Sequence, residues 1–276
     1  MELDFNDDIS NAEIHVEKSS YQILDPSPWP INTSMSLNLI VFSFISMFHV
    51  LIFAIPLSTF AINFLAYCLF YWFFDIILEG KFEGFHNKQV QSSLKMGVIL
   101  FITSEILFFF SFFWAYFHSA LVPTIWIGEV WPPAPIQALD PYALPMLNTA
   151  LLLSSGFSVT WAHRALISSQ RAEVISALII TIVYGLFFTF FQLLEYNFCD
   201  FSISDTVYGS SFFLLTGFHG LHVIVGTIML AVAFWRHLLY HLDNIHHVGF
   251  EAAIWYWHFV DVVWLFLYFF VYILVF

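Results

Sequence analysis

The chain has 276 residues, of which 60% are hydrophobic and only 10% are charged, and its formal net charge is −13. An ordinary soluble domain carries about 25% charged residues, so this composition excludes a normal water-exposed surface. The seven lysines and arginines give no support to nucleic-acid binding, and Cys68 and Cys199 form neither a disulfide framework nor a thiolate metal site.

The first segment in chain order is acidic. Residues 1–18 carry six carboxylates and a single lysine, Lys18. We expect residues 1–20 to form a solvated, mobile extension, because such a segment has little apolar surface to bury. The segment resembles neither a secretory signal nor a transit peptide, which suits a bacterial protein or one made inside an organelle.

Seven apolar segments follow. A membrane-spanning helix needs about 20 apolar residues, because the hydrocarbon layer is about 30 Å thick and a helix rises about 1.5 Å per residue. The segments do not alternate apolar and polar residues as barrel strands do, so they predict an all-α polytopic membrane protein with seven transmembrane helices. These spans are roughly 36–55, 57–78, 96–120, 143–163, 174–194, 211–235 and 252–276.

The basic residues predict the orientation, because lysine and arginine near helix ends stay on the non-translocated side. One precedes the first span, three separate the second span from the third, two separate the fourth from the fifth, and one separates the sixth from the seventh; the remaining three connections have none. The N-terminus is therefore expected inside and Phe276 outside. The basic residues are Lys18, Lys81, Lys88, Lys95, Arg164, Arg171 and Arg236.

The connections predict how the spans are grouped. A tight turn at Ile55-Pro56-Leu57 makes the first two spans an antiparallel hairpin. The segment 79–95 is then the longest inside connection. We therefore predict a membrane domain at 21–276 that consists of a two-helix unit at 36–78 and a five-helix unit at 96–276.

Glu105 lies nine residues into the third span, about 13 Å of helical rise from its start. A charged carboxylate at that depth costs about 2.5 kcal/mol or more. We therefore expect a largely protonated side chain that faces protein or water. A structural hydrogen bond to a neighbouring helix and a role in proton handling both remain open.

Ionisable residues in the last two spans come in pairs one helical turn apart, and each pair contains a histidine. His219 and His222 form one pair, and His258 and Asp261 form another. This spacing is compatible with a metal site, but neither pair has an evident opposing ligand, so interhelical hydrogen bonds are favoured. For His246-His247 in the last inside connection, a lipid headgroup or partner contact is favoured over a metal.

Several long motifs stand in order from about residue 21 to the end. They include DPSPWP at 25–30, ILFITSEILFFFSFFWAYFHS at 99–119, WPP at 131–133, TWAH at 160–163, TGFHGLHVIVG at 216–226 and HHVGFEAAIWYWHFVDVVWLFLY at 246–268. Together these motifs closely resemble cytochrome c oxidase subunit III, and more its mitochondrial branch than a distant bacterial one.

The resemblance implies a subunit that packs against subunit I, beside other oxidase subunits. It implies no haem, copper or other metal in this chain, since haem and copper belong to partner subunits. The family has two plus five helices around a cleft filled with phospholipid. The family's complex transfers electrons from cytochrome c to oxygen and pumps protons, and the resemblance implies that this chain supports proton entry and resistance to inactivation. The implied location is the mitochondrial inner membrane, with the N-terminus in the matrix and the C-terminus in the intermembrane space. A bacterial plasma membrane is less favoured.

The resemblance also assigns roles to residues. Glu105 matches the family's intramembrane carboxylate. Where the family usually has two arginines, this chain has Phe74 and Leu78, so lipid is expected to be held less by charge on that side. The residues expected to bind lipid are Glu79, His86, Lys88, Arg236 and His246.

Three alternatives remain. A proton-coupled transporter would use Glu105, but no repeat with broken helices is apparent. A quinol oxidase subunit III usually has five helices rather than seven. A haem-bearing membrane cytochrome would use His219 or His222.

Overall fold

A computed structural model of the protein describes residues 26–134 and 136–275. The predicted acidic extension at 1–20 and the terminal Phe276 lie outside these residues. The all-α fold class is confirmed, and the described residues form seven long helices. These are α1 (Trp29–Phe48), α2 (Ala54–Lys81), α3 (Lys88–Leu121), α4 (Leu144–Ile167), α5 (Arg171–Phe198), α6 (Val207–Leu238) and α7 (Val248–Leu267), and α7 continues in a π-helical turn at Tyr268–Ile273.

Six of the described helices, all except α4, are long and apolar enough to cross a membrane. The 24 residues of α4 suffice in length, but the helix contains more polar side chains. Several of these are bonded inside the protein: Ser158 Oγ lies 2.7 Å from Thr181 Oγ1, and Trp264 Nε1 donates to Thr149 Oγ1 at 2.9 Å. Such bonding is the condition under which a polar helix lies at membrane depth.

The turn between α1 and α2 lies earlier than predicted. Helix α1 ends at Phe48 and α2 begins at Ala54, with Val50 at a φ of 53° in the turn. Pro56 therefore lies in the first turn of α2, where its missing N–H costs nothing because that donor has no intrahelical partner. The prediction of a turn at Ile55-Pro56-Leu57 was wrong by a few residues.

The predicted long connection at 79–95 was also wrong. Helix α2 extends to Lys81 and α3 begins at Lys88, so only residues 82–87 connect them. The lysines lie within helix ends, where long side chains reach the interface while their stems remain in apolar surroundings. Between the described helices, the longest of the predicted inside connections is instead residues 239–247, which joins α6 to α7. The connection from α3 to α4, on the predicted outer side, contains a short 3₁₀ turn, Ile125–Ile127.

The chain divides into two compact units, Met1–Ser93 and Leu94–Phe276. In the described part of the first unit, α1 packs against α2. The buried residues of this hairpin are small: Thr33, Ser36, Ser43 and Ser46 on α1, and Ala54, Ala61 and Cys68 on α2. Small residues let helix backbones approach closely where lipid gives no hydrophobic drive for association.

Trp29, near the start of α1, contacts the end of α2. Its indole Nε1 donates to the Asp75 carboxylate at 2.5 Å, and its ring stacks on Tyr71 with centroids 5.5 Å apart. This tryptophan belongs to the DPSPWP motif, so one role of the motif is to join the two ends of the hairpin.

The second unit has a core of large side chains. Helix α4 packs against α5 and α7, and α6 packs against the same two helices. Helix α3 joins through aromatic contacts such as Phe108 with Phe218, at 5.1 Å between centroids. The largest fully buried side chains include Trp257, Trp264, Tyr116, Tyr208, Tyr272, Phe188, Phe212 and Phe250.

Candidate functional site

The intramembrane carboxylate of α3 has a partner on α6. Glu105 Oε2 lies 2.9 Å from His222 Nε2. The other ring nitrogen, His222 Nδ1, lies 2.7 Å from the carbonyl oxygen of Phe218. Helix α6 places this histidine one turn after Phe218, because residues four apart share a helix face.

These contacts fix how many protons the pair holds. A carbonyl oxygen can only accept, so His222 Nδ1 must carry a proton and donate it to Phe218. One further proton lies between Glu105 Oε2 and His222 Nε2. Whether that proton is on the acid or on the imidazole, the pair has no net charge, which is the arrangement least costly in a low-dielectric environment.

Aromatic rings surround the histidine. The centroid of Phe109 lies 5.0 Å from that of His222, and Tyr256 is stacked at 6.1 Å. Phe259 completes the set at 6.2 Å. The side chains of His222 and Glu105 are 10% and 22% exposed, so the carboxylate is the more accessible end of the pair.

This pairing was not predicted from the sequence. Glu105 and His222 were both expected in spans but neither was assigned a partner, since 117 residues separate them. Glu105 was expected to be largely protonated on the cost of a charge at its depth alone, without a partner. A histidine at similar depth in another span was the signal that could have indicated the pair.

His219 is fully buried one turn before His222. Its Nε2 donates to the carbonyl oxygen of Val260 at 3.2 Å, which is an interhelical hydrogen bond of the kind that the sequence favoured. Its ring lies between Phe188 and Trp264, with centroids at 5.5 and 5.1 Å. His219 and His222 therefore face different partners.

His258 and Asp261 form the second predicted pair. His258 Nδ1 lies 3.7 Å from Asp261 Oδ2, and His258 Nε2 lies 3.3 Å from Thr160 Oγ1 on α4. Gly156 on α4 makes room for them, because a Cβ there would lie 2.7 Å from Asp261 Oδ2. This pair also makes an interhelical contact.

A second buried carboxylate, on α5, was not predicted from the sequence. Glu195, near the end of α5, is 1% exposed, and Tyr272 donates its hydroxyl to Glu195 Oε1 at 2.7 Å. The predicted span ended at residue 194, so Glu195 was assigned to a connection. Burial raises the pKa of the nearby Cys199 thiol to about 12, so this cysteine is not a thiolate at neutral pH.

Three of the predicted lipid-binding residues lie in the first unit. The carbonyl oxygen of Glu79 accepts a hydrogen bond from the Phe85 amide at 3.0 Å. The ring of His86 packs so closely on Gly80 that a Cβ there would lie 2.5 Å from His86 Nδ1. Lys88 begins α3. The turn at 82–87 thus folds the segment that contains His86 back onto the end of α2, where Glu79 lies.

The other two predicted lipid-binding residues lie in the second unit. Arg236 is in the last turn of α6, beside the start of α7, since its Nη1 lies 3.0 Å from where Gly249 would carry a Cβ. His246 is exposed in the connection before α7. Their lipid binding stays a prediction.

Comparison with known proteins gives a consistent result. Residues 19–275 match the family model described as cytochrome c oxidase subunit III. The chain is 49% identical over 255 residues to "Cytochrome c oxidase subunit 3" of Arabidopsis thaliana, covering 92% of this chain and 96% of that protein. It is 50% identical over 249 residues to the protein of the same name from Oncorhynchus mykiss, covering 90% and 95%.

The match extends through α3, which carries Glu105, and α6, which carries His222. It also includes both compact units, apart from residues before 19 and Phe276. The chain belongs to the cytochrome c oxidase subunit III family.

Proposed function

We propose that this protein is a core subunit of cytochrome c oxidase that carries no redox centre and packs against subunit I. The observation that carries the proposal is the similarity over residues 19–275, at about 50% identity to relatives named as this subunit. In this role the chain supports electron transfer from cytochrome c to oxygen, with proton pumping, by stabilising the catalytic subunit and its proton uptake. Haem and copper then reside in partner subunits.

We propose that Glu105 serves proton handling together with His222. Their shared proton can move over a donor–acceptor distance of 2.9 Å without changing the net charge of the pair. The partly exposed carboxylate is the end that exchanges a proton with its surroundings. Each such exchange changes the net charge of the pair by one, and the shared hydrogen bond to His222 offsets part of the cost of that change. In this role the pair buffers protons near the catalytic subunit and is not part of oxygen reduction itself.

We propose that phospholipid is held by Glu79, His86, Lys88, Arg236 and His246. Phe74 is 45% exposed and offers contact to acyl chains, where relatives usually have an arginine that holds phosphate. Headgroup contact then depends on the remaining basic residues. A phosphate bound tightly beside Phe74 and Leu78, with no basic group near it, would contradict this proposal.

We propose that the protein resides in the mitochondrial inner membrane. Its membrane domain spans 21–276, with a two-helix unit at 36–78 and a five-helix unit at 96–276, and the division at Ser93 and Leu94 supports that grouping. The N-terminus lies in the matrix and the C-terminus in the intermembrane space, as the basic residues favour. Detecting both termini on one side of sealed membranes would contradict this orientation.

Purification from native membranes tests the function. A tagged full-length chain, solubilised in a mild detergent, is expected to co-purify with a large subunit that contains haem and copper. The purified sample should also oxidise cytochrome c. Recovery of the chain alone would favour the transporter alternative. Recovery with quinol-oxidising activity would favour the quinol oxidase alternative. Haem retained by the chain alone, and lost on His219→Ala or His222→Ala, would favour the membrane cytochrome.

A further inference from the structure

Three metal-ligating side chains meet at one end of the second unit. His163 comes from the last turns of α4, His247 immediately precedes α7, and Glu251 lies in the first turn of α7. One ligand atom from each lies within 4.8 Å of the other two. His247 Nε2 and Glu251 Oε1 are already 3.5 Å apart.

We propose that His163, His247 and Glu251 form a binding site for a divalent transition-metal cation of the zinc class. Zinc binds imidazole nitrogen and carboxylate oxygen at about 2.0–2.1 Å, so tetrahedral ligands lie about 3.4 Å from one another. The His247–Glu251 separation already matches this value. The ligand atom of His163 lies within 4.8 Å of the other two, so the site requires His163 to move closer by about 1 Å. The fourth position remains for water.

The hydrogen bond of His247 prepares this histidine as a ligand. Its Nδ1 lies 3.1 Å from the carbonyl oxygen of Asp243. Because a carbonyl can only accept, Nδ1 carries the proton and Nε2 has its lone pair free toward Glu251. A backbone carbonyl that fixes the tautomer in this way is a usual feature of metal-binding histidines.

His163 has a ring nitrogen that lacks a partner. Its Nε2 is shielded from solvent and makes no hydrogen bond within the described residues. The ring instead contacts His247, with centroids 5.4 Å apart. A buried polar atom without a partner is costly, and a bound cation supplies a partner for the imidazole.

The site already attracts a cation from within the chain. Lys95 on α3 places its Nζ 2.5 Å from Glu251 Oε2. Its side chain is 38% exposed, so it can withdraw into solvent when a metal ion binds the carboxylate. Lys95 is therefore a competitor of the metal, and removing its charge should strengthen metal binding.

This competition separates a metal site from a purely structural cluster. If the three residues serve only to hold α4 against α7, loss of Lys95 weakens the contact between the helices and does not strengthen zinc binding. If they form a metal site, loss of Lys95 and loss of a ligand have opposite effects. The resemblance implied no metal in this chain, and a lipid or partner contact was favoured at His246-His247. The fold changes this expectation because it brings His163 to His247 from a distant helix.

The test is zinc titration of the purified full-length chain in detergent micelles, with bound zinc measured by atomic emission after gel filtration. His163→Gln, His247→Gln and Glu251→Gln should each lower the zinc association constant at least tenfold, whereas Lys95→Met should raise it at least threefold. His241→Gln, in the same connection as His247, is the matched control and should leave the constant unchanged. Circular dichroism and gel filtration check that each variant is folded.

Ligand variants that bind zinc as tightly as His241→Gln would overturn the proposal, and so would weaker binding by Lys95→Met. If a ligand variant does not fold, Lys95→Met and zinc-edge X-ray absorption of the unaltered chain decide the question. That spectrum should show two imidazoles in the zinc coordination shell. A shell without imidazole would overturn the proposal.

Discussion

The hairpin of α1 and α2 and the bundle that begins at Leu94 bury different kinds of side chain. The hairpin buries serine, alanine and cysteine at intervals that bring two backbones together. The bundle buries tryptophan, tyrosine and phenylalanine together with paired polar groups. In lipid, apolar surface alone does not drive helices together, so the hairpin depends on close approach and the bundle on interlocking shape and specific hydrogen bonds.

The largest expected effect comes from removing a central side chain of the bundle. Trp257 is fully buried, and its Nε1 donates to Ser155 Oγ at 2.9 Å. Trp257→Ala should destabilise the protein by about 3–5 kcal/mol, because a large cavity remains. Unfolding of the purified chain in SDS measures the loss. Trp235→Ala is the control, since Trp235 is 63% exposed. Equal losses of stability in both variants would contradict the view that the bundle depends on its buried large side chains.

The hairpin should be sensitive to added volume. Ala61 is fully buried in the hairpin, so Ala61→Leu should separate the helix backbones and cost about 1–3 kcal/mol. The same SDS titration reports the change. Ile62→Phe adds volume to an exposed neighbour on α2 and should have little effect. If Ala61→Leu were harmless, close approach would not hold the hairpin together.

Glu105 tests the specific hydrogen bonds of the bundle. Glu105→Ala leaves a cavity and a buried His222 Nε2 without its partner, so a cost of about 1–3 kcal/mol and weaker assembly are expected. Glu105→Gln keeps the shape and can still bond to His222. It should assemble normally and keep most oxygen consumption, with slower proton uptake or faster inactivation during turnover.

Haem content, oxygen consumption and proton uptake in native membranes distinguish these outcomes. Normal assembly of Glu105→Gln without any oxygen reduction would refute the supporting role and require a direct catalytic one.

The smallest effect is expected outside the helices. The Ser202 amide donates to Asp205 Oδ2 at 2.6 Å, and this bond holds the pKa of Asp205 below its usual value. The local stabilisation is therefore present above the ordinary aspartate pKa and is lost as the pH falls through the lower folded pKa. Asp205→Asn should reduce protection of the Ser202 amide from hydrogen exchange near neutral pH and make it insensitive to acid. Asp200→Asn, an exposed neighbour, is the control and should retain the acid-dependent loss.

The sequence predicted the helices well because lipid leaves few alternatives for an apolar run of about 20 residues. It predicted their ends poorly. Lys81, Lys88 and Lys95 were assigned to a connection, yet each lies in a helix, since a long basic side chain can reach the interface from inside a helix end. Pro56 marked a turn in the prediction but is compatible with the first turn of a helix.

The site was predicted as single residues rather than as contacts. The depth of Glu105 followed from counting along one helix, but its partner depends on how α3 and α6 face each other. His163 and His247 give the same lesson. Each stands in a separate motif, and only the packing of α4 beside α7 brings them within reach of one ion.

The contact of Trp29 with Asp75 has a consequence for biosynthesis. The two residues are 46 positions apart, so the bond can form only after both helices of the hairpin have been made. At about 5–20 residues per second, the tryptophan waits about 2–9 s for its acceptor. The bond joins the beginning of one helix to the end of the next, so it forms only when both have been inserted in opposite directions. The hydrogen bond therefore stabilises only hairpins in which both helices have been inserted with the correct topology.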